Sequence, residues 1–231
     1  ATQMARLFHL LTVRPWVPLL LTPLGFTLSA WIAVRFFPGS QGSGIPPAIA
    51  ARTLEPEGRS RLLSLRLAFG KILLTLFGLA FGASIGREGP TVQVGAAIML
   101  ASGRLGGMGQ ARGLILAGSA AGVAAAFNTP LAGIVFAIEE MGRAFEQRTS
   151  GFVLIAVILA GIASLGLVGN YSYFGSTSSH LMVTIDWVAV LVCGVLGGAL
   201  GGLFARLTIW GQSRTARWIA PVPMRRALLV A

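Results

Sequence analysis

The sequence predicts an all-α membrane protein that crosses the bilayer several times with tilted and broken helices. Of its 231 residues, 55% are hydrophobic and 11% are charged, whereas about 25% of the residues in an average soluble domain are charged. Glycine and proline divide the apolar residues into segments, several of them shorter than the roughly 20 residues that a spanning helix needs. Broken helices at membrane depth are typical of transporters, where irregular backbone lines a binding site. Composition and segment length together exclude an ordinary soluble domain.

The charged residues also favour a membrane protein. The formal net charge is +11, from 18 basic and 7 acidic residues, and Lys71 is the single lysine. The basic residues lie between the apolar segments instead of forming one stripe, so we expect no nucleic-acid partner and assign them to cytoplasmic loops. The single cysteine, Cys193, excludes an intramolecular disulfide and lies in an apolar run, where packing is its expected role.

The first quarter of the chain contains one helix of membrane length and then a break. Residues 16–37 are predicted to span the membrane, and the Pro- and Gly-rich residues 38–47 end that helix. A short helix over residues 48–51 follows, with proline in its first turn. Residues 52–66 carry four arginines and two glutamates, which predicts a solvated loop.

A second break follows the next apolar segment. Residues 67–85 are apolar apart from Lys71 and lead into Gly-Arg-Glu-Gly-Pro at residues 86–90. Proline suits the first position of a helix because it lacks an N–H and has a fixed φ, so we predict a helix over residues 91–103 and a glycine-rich turn over 103–109. The two breaks are expected on helices that approach the membrane midplane from opposite faces.

The rest of the chain contains three further helical segments and one more break. Residues 113–127 are rich in Gly and Ala, which permits close helix packing in lipid. Asn128-Thr129-Pro130 interrupts this segment, which continues over 131–141. Further spanning helices are predicted over 151–168 and 187–210. The polar residues 169–186 between them contain no basic residue, so they are expected outside the cell if residues 52–66, 142–150 and the tail after Arg206 are cytoplasmic.

Arg87 and Glu88 are the residues most suggestive of chemistry. Charge at membrane depth costs about 2.5–3.5 kcal/mol per group and usually faces protein or a water-filled path. The free N–H groups at a helix start favour an anion. In the first break, Ser43 adds a hydroxyl donor, which the N–H groups of Gly44 and Ile45 would supplement. Two alternatives remain open from the residues alone: a solvated surface loop at Arg87 and Glu88, and a surface helix cap at Ser43.

Three motifs in this order resemble the chloride channel and chloride/proton antiporter (CLC) family. They are Gly-Ser-Gly-Ile-Pro at 42–46, Gly-Arg-Glu-Gly-Pro at 86–90 and Phe-Asn-Thr-Pro-Leu-Ala-Gly-Ile-Val-Phe-Ala-Ile-Glu-Glu at 127–140. The resemblance covers the chain from about residue 16 to about residue 212 and implies an inverted-repeat fold. Residues 1–168 would be a first repeat that is incomplete at its N-terminus, 169–186 the connecting extracytoplasmic loop, and 187–231 the start of a second repeat and a basic tail.

The resemblance implies chloride transport coupled to opposite proton movement. The anion-binding positions would be Ser43, Gly44, Ile45 and Gly89. Glu88 matches the external gate and proton acceptor, and Glu140 matches the internal proton station of the antiporters. Lys71 and Arg87 match basic positions near the pathway. Alternatives remain for three of these residues, because Lys71 could extend to the interface or pair with a carboxylate, and Glu139 and Glu140 could form a solvated helix end.

The family resemblance also implies partners and a location. The expected substrates are chloride and protons, without a cofactor, a metal or an enzymatic activity, in the plasma membrane of a bacterium. A homodimer is expected, with an interface formed by Ile134, Phe136, Ile138, Ile155 and Leu159. Lipid exposure is the alternative for these five side chains.

Two departures from the family pattern stand out. Pro47 follows Pro46 where the family usually has Glu. The second repeat's Gly-x-Phe-x-Pro helix start and its tyrosine are absent, and so is the helix that normally precedes 16–37, so we expect a fragment that holds half of the anion site. A passive chloride channel is the alternative within the family. An intramembrane hydrolase would need a catalytic constellation, which the sequence does not contain. A structural scaffold would not need charged residues at membrane depth.

Overall fold

Every secondary-structure element in the described part of the computed structural model is helical. The structure describes residues 2–12, 14, 16–108, 111–141, 147–171, 175 and 184–219. These residues form ten α-helices and one π-helical turn: α1 (Thr2–Leu11), α2 (Val17–Phe36), α3 (Ile45–Thr53), α4 (Pro56–Leu62), α5 (Leu65–Ala80), α6 (Glu88–Leu105), α7 (Ala111–Phe127), α8 (Pro130–Phe136), the π-helical turn (Ala137–Met141), α9 (Gln147–Val168) and α10 (Thr184–Ile219). The predicted all-α fold class is confirmed.

Four helical segments among the described residues are long and apolar enough to cross a membrane. They are Val17–Phe36, Pro56–Ala80, Gly151–Val168 and Trp187–Gly211. Arg112–Phe127 is apolar but shorter. The protein is therefore polytopic, and the short helices α3 and α8 alternate with the spanning ones, as the Gly/Pro breaks predict.

Helices α2 and α5 run antiparallel and pack through glycines. A Cβ atom on Gly25, in the first half of α2, would overlap the ring of Phe81, which follows α5. A Cβ atom on Gly70, in the first half of α5, would lie 2.9 Å from the Cβ of Phe37, which follows α2. Each aromatic ring thus fills space that a side chain would occupy. The two helices therefore lead into the two breaks from opposite ends of the bundle, as predicted.

The predicted loop over residues 52–66 is wrong, because it contains helix α4. Pro56 lies in the first turn of α4, where its missing N–H costs nothing. The guanidinium group of Arg59 donates from Nε to Ala51 O (3.0 Å) and from Nη2 to Leu54 O (2.7 Å). These bonds satisfy carbonyls at the end of α3 and tie α4 to it. The Arg59 side chain therefore stabilises a helix in a segment whose charged residues suggested a loop.

Other helices also depart from the prediction. Helix α6 starts at Glu88 instead of residue 91, so Pro90 is its third residue and not its first. Helix α3 is longer than predicted, from Ile45 to Thr53. A helix ahead of residues 16–37 was expected to be missing, but α1 occupies Thr2–Leu11, and the ring of Phe8 lies against Gly82.

The core lies between α6, α7 and α9, and glycines bring α6 and α7 into backbone contact. A Cβ on Gly95 of α6 would meet the carbonyl of Gly118 of α7, and one on Gly122 would meet the carbonyl of Thr91. The pairing of Gly95 with Gly118 and of Thr91 with Gly122 makes the two helices antiparallel. Small residues allow this approach, and packing drives helix association in lipid.

The ends of α7 and α9 are tied together by side-chain hydrogen bonds. Asn128, with φ of 55°, closes α7, and its Nδ2 donates to Asn170 Oδ1 (3.3 Å) and Tyr171 O (3.2 Å). The hydroxyl of Tyr171 donates to Ala126 O (2.9 Å) and that of Ser164 to Ala125 O (3.1 Å). Asn128 of the third predicted break therefore also joins the end of α7 to the residues that follow α9.

The chain forms two compact units, Ala1–Tyr173 and Phe174–Val230. The described part of the second unit contains the 36-residue helix α10. Residues 142–146 and most of the predicted loop 169–186 lie outside the described residues. The sidedness of these loops and the boundaries at 168 and 186 remain predictions.

Candidate anion-binding site

The first break is held by left-handed glycines and by Lys71. Gly39, Gly42 and Gly44 have φ values of 95°, 77° and 107°, a region that other residues seldom adopt. Lys71 is 3% exposed, and its Nζ donates to Ser40 O and to Gly42 O, both at 2.6 Å. Within the described part of the chain, the ammonium group therefore neither reaches the interface nor pairs with a carboxylate. It fixes the backbone immediately before Ser43.

The second break folds back over the end of α5. Ala83 N donates to Gly78 O at 2.9 Å, and a Cβ on Gly78 would lie 2.9 Å from Cδ1 of Ile85. Gly82 has φ of 88°. The chain thus returns from the end of α5 before α6 begins at Glu88, and this brings the start of α6 back to the level of the first break.

The two breaks meet at Gly89. A Cβ on Gly89 would overlap the carbonyl of Ser43 and lie 2.6 Å from its Oγ. A Cβ on Gly44 would overlap the carbonyl of Gly89 and lie 3.1 Å from Cβ of Gln93. Gly44 and Gly89 are both buried. The first turn of α6 therefore lies directly against the loop that starts α3, and only glycine fits at either contact.

Neutral hydrogen-bond donors converge at this contact. Helix geometry leaves the first N–H groups of each helix without a partner inside the helix, which includes those of Ile45, Glu88 and Gly89. The N–H of Gly44 and the hydroxyl of Ser43 lie on the same loop. Pro46, Pro47 and Pro90 have no N–H to add. Such a set of oriented dipoles suits an anion.

The carboxylate of Glu88 lies on the outer side of the same turn. It is exposed and lies against Gly86, where a Cβ would be 2.6 Å from Oε2 and 2.8 Å from Cδ. Arg87 is half-buried and occupies the cap position of α6, and Thr91 Oγ1 donates to Arg87 O at 2.8 Å. The structure brings Ser43, Gly44, Ile45 and Gly89 together, with Glu88 beside them.

Comparison with known proteins identifies what kind of protein carries this arrangement. The sequence pattern described as "Voltage gated chloride channel" matches residues 25–231. The chain belongs to this family, the CLC family. Its motifs at the two breaks are therefore family motifs.

Similar proteins agree with this assignment. "H(+)/Cl(-) exchange transporter ClcA" of Salmonella arizonae is 34% identical over 225 residues, which cover 86% of this chain and 44% of the relative. The protein of the same name from Yersinia pestis is 33% identical over 236 residues, 94% of this chain and 47% of the relative. The chain spans about half the length of the curated relatives that it matches.

A solved structure supports the fold. The chain of "X-ray crystal structure of a slow cyanobacterial Cl-/H+ antiporter" is 27% identical and superposes with a TM-score of 0.78 over 99% of this chain and 55% of that chain. The predicted CLC-type fold of broken helices is confirmed. The structures and relatives that this CLC chain resembles are transporters by name, not enzymes.

The two candidate proton-accepting carboxylates lie at different depths of the CLC fold. Thr91 of α6 and Gly133 of α8 both pack near Gly122 and Ala124 of α7. Glu88 precedes Thr91 by three residues and Glu140 follows Gly133 by seven, and both helices run antiparallel to α7. Glu88 and Glu140 therefore lie on opposite sides of the level at which these helices contact α7. Glu139 and Glu140 are exposed in the π-helical turn.

Two buried polar residues beside the site were not predicted. Gln93 is 1% exposed, and its Nε2 donates to Leu62 O at 3.1 Å while its Oε1 has no partner. Ser40 is 4% exposed, with its Oγ also unpaired. A glutamine within the small-residue helix α6 was a signal that could have identified Gln93. Among the described residues, no group of three or more His, Cys, Asp and Glu side chains is placed to hold a metal ion.

Proposed function

We propose that the protein carrying this chain transports chloride across the plasma membrane of a bacterium and exchanges it for protons. The relatives that it matches are named as H(+)/Cl(-) exchange transporters, and the chain spans about half of them. The exchange activity therefore belongs to the full-length protein, of which these residues would supply the first repeat. A passive chloride channel is the second candidate.

The contact between Ser43, Gly44 and Gly89 carries this proposal. It brings the backbone of Ser43 and Gly44 against that of Gly89, which supports a site formed by one hydroxyl and the N–H groups of two helix starts. An anion held by neutral dipoles is bound favourably but can leave, and conduction requires this balance. Lys71 acts by fixing the loop and adds a background positive potential, and Arg87 adds a second positive charge beside the site.

Glu88 is proposed as the external gate. Its carboxylate is the negative group nearest to the α6 start, and a helix N-terminus that favours an anion also favours a carboxylate. When deprotonated it would compete with chloride for these donors, and when protonated it would swing away. The absence of a side chain at Gly86 leaves the space that the carboxylate occupies in this structure.

Glu140 is proposed as the internal proton station. Glu88 and Glu140 lie on opposite sides of the contacts that α6 and α8 make with α7, whereas direct proton transfer takes place across a hydrogen bond. Water or further polar groups would have to connect the two carboxylates. A passive channel needs no internal proton station, so the presence of Glu140 favours exchange.

Flux measurements on the full-length gene product in liposomes test this proposal. Chloride efflux driven by a chloride gradient, accompanied by proton uptake against a pH gradient, is the expected result. Chloride efflux without proton movement would establish the passive channel instead. Failure of reconstituted, folded protein to move chloride would overturn the proposed function.

We further propose a homodimer, formed by the outer faces of α8, the π-helical turn that follows it and α9. Ile138, Ile155 and Leu159 are exposed (41%, 59% and 60%), which suits an interface. Ile134 and Phe136 are half-buried and pack against the core, so they can contribute less than the sequence suggests.

Tryptophan substitution tests this interface. Ile138→Trp combined with Ile155→Trp should convert a dimer into a monomer in detergent, measured by light scattering. Leu24→Trp, at a 68% exposed position on α2, is the control and should leave the dimer intact. A dimer unaffected by the double substitution places the interface elsewhere.

A further inference from the structure

Three arginines lie where α2 ends and α5 begins. Arg66 Nη2 donates to Phe36 O, the last residue of α2, at 2.8 Å. The guanidinium carbon of Arg35 lies 5.8 Å from the centre of the Phe36 ring. The carbonyl of Arg61 would lie 3.4 Å from a Cβ on Gly39. Arg35, Arg61 and Arg66 are all exposed, and together they are called the arginine cluster below.

Exposed apolar side chains lie beside the arginine cluster. Trp31 and Phe36 of α2 are 46% and 45% exposed and pack edge to face at 5.6 Å. Leu65 and Phe69 of α5 are 57% and 61% exposed, and Phe69 packs near Phe37 at 6.3 Å. Both helices belong to segments long and apolar enough to span a membrane. The cluster therefore lies at the edge of two lipid-facing surfaces.

From this geometry we infer that the arginine cluster binds the phosphate of an anionic phospholipid whose acyl chains lie on α2 and α5. Guanidinium groups bind phosphate oxygens with two parallel hydrogen bonds. Basic clusters next to a spanning helix attract anionic lipids by about fivefold in affinity per residue. A soluble phosphate would use the arginines but not the adjoining apolar surface, so a lipid fits both features.

The three arginines do not contribute equally. Glu57 lies one turn before Arg61 on α4, a spacing at which opposite charges interact, so Arg61 is the weakest. Arg66 is preorganised by its bond to Phe36 and retains further N–H groups, because a guanidinium has five. Arg35 is oriented by its contact with the Phe36 ring. We therefore expect Arg66 and Arg35 to hold most of the phosphate.

Lipid titration followed by native mass spectrometry of the full-length protein in neutral detergent tests the inference. The expected result is one retained phosphatidylglycerol, at least tenfold tighter than phosphatidylcholine with the same acyl chains. The triple variant Arg35→Gln/Arg61→Gln/Arg66→Gln should bind phosphatidylglycerol about a hundredfold more weakly, from an average of about fivefold per arginine. The pair Arg104→Gln/Arg112→Gln removes two exposed arginines elsewhere and should change it less than twofold.

Two further arms make the outcome decisive. If loss of the bond to Phe36 unfolds the triple variant, judged by circular dichroism, Arg35→Gln/Arg61→Gln leaves that bond in place and should still weaken binding by at least fivefold. Inorganic phosphate at millimolar concentration should not displace the lipid. Displacement by phosphate, or an equal loss in the Arg104/Arg112 control, would overturn the inference, as would a triple variant that keeps wild-type lipid retention.

Discussion

The two breaks that build the candidate anion site are held to different degrees. In the first break, Ser40 and Gly44 are buried, and Lys71 holds two of its carbonyls at 2.6 Å. In the second break, residues 84–86 are exposed, and backbone bonds from Gly82 and Ala83 tie its start to the end of α5. The difference indicates a division of labour: the first break fixes hydrogen-bond donors in position, and the second leaves a charged side chain, Glu88, room to move.

Removing the charge from the looser break should have the largest effect. Glu88→Gln mimics a permanently protonated gate, so in the full-length protein proton movement should be abolished while chloride still flows. A pH electrode and a chloride electrode on the same liposomes measure both. Glu57→Gln, which neutralises an exposed carboxylate on α4, is the control and should leave the coupling unchanged.

Glu140→Gln should also uncouple protons from chloride, but with the external gate in place. Chloride flux in this variant should therefore stay closer to wild type than in Glu88→Gln. Full proton pumping by the Glu88→Gln variant would contradict the role proposed for Glu88. Normal coupling in both variants would require a different mechanism altogether.

The tighter break should not tolerate a single methyl group at Gly44. A Cβ there overlaps the carbonyl of Gly89, and overpacking costs about 1–3 kcal/mol in addition to about 1 kcal/mol for the left-handed backbone. Gly44→Ala should therefore reduce chloride affinity more than tenfold in calorimetry. Gly42→Ala is a matched control, because Gly42 is also left-handed but has nothing within 4 Å of its Cβ position. Equal losses in the two variants would show that strain, and not the contact with Gly89, sets the effect.

Removing the ammonium group that fixes the first break should have an intermediate effect. Lys71→Met leaves Ser40 O and Gly42 O without their donor, which destabilises the fold. The variant also no longer buries a charge, which offsets part of that loss. We therefore expect a net destabilisation of about 1–3 kcal/mol. The free energy of unfolding in detergent measures it. Arg66→Gln removes a cation–carbonyl bond at an exposed site and should cost less than 1 kcal/mol. Equal losses of stability in the two variants would show that burial does not strengthen the contribution of the Lys71 bonds.

The smallest effect is expected from the serine hydroxyl. Ser43→Ala removes one neutral donor and leaves the N–H groups, so chloride affinity should fall between about twofold and twelvefold, from about 0.5–1.5 kcal/mol per hydrogen bond. Ser84→Ala, at an exposed serine in the second break, is the control and should have no effect. A loss above a hundredfold would show that the backbone donors contribute little.

The sequence predicted the spanning helices and the positions of the breaks, since apolar length and Gly/Pro residues are local signals. It could not predict α4, because the bonds from Arg59 to Ala51 and Leu54 are made only once α3 and α4 are in contact. The role of Lys71 was equally hidden, since its partners lie about thirty residues away in the chain. Proline at position 90 suggested a helix start three residues too late, because proline is also accommodated at the third position, where no intrahelical N–H is needed.

The candidate site was predicted in part. The motifs identified Ser43, Gly44 and Gly89 as a set, and the structure brings them together. Gln93 was missed, because a single polar residue in an apolar helix does not indicate which backbone it contacts. The roles of Glu88 and Glu140 stay predictions, since protonation is not a property of the arrangement alone.

The glycine contacts between α6 and α7 bear on how fast the site can respond. With Gly95, Gly118 and Gly122 placing backbone against backbone, neither helix can slide without displacing the other, so both would have to travel as one body. Motions of that kind take microseconds to milliseconds, whereas rotation of an exposed side chain takes picoseconds to nanoseconds. Reorientation of the Glu88 side chain would therefore be faster than any joint movement of the helices beside it.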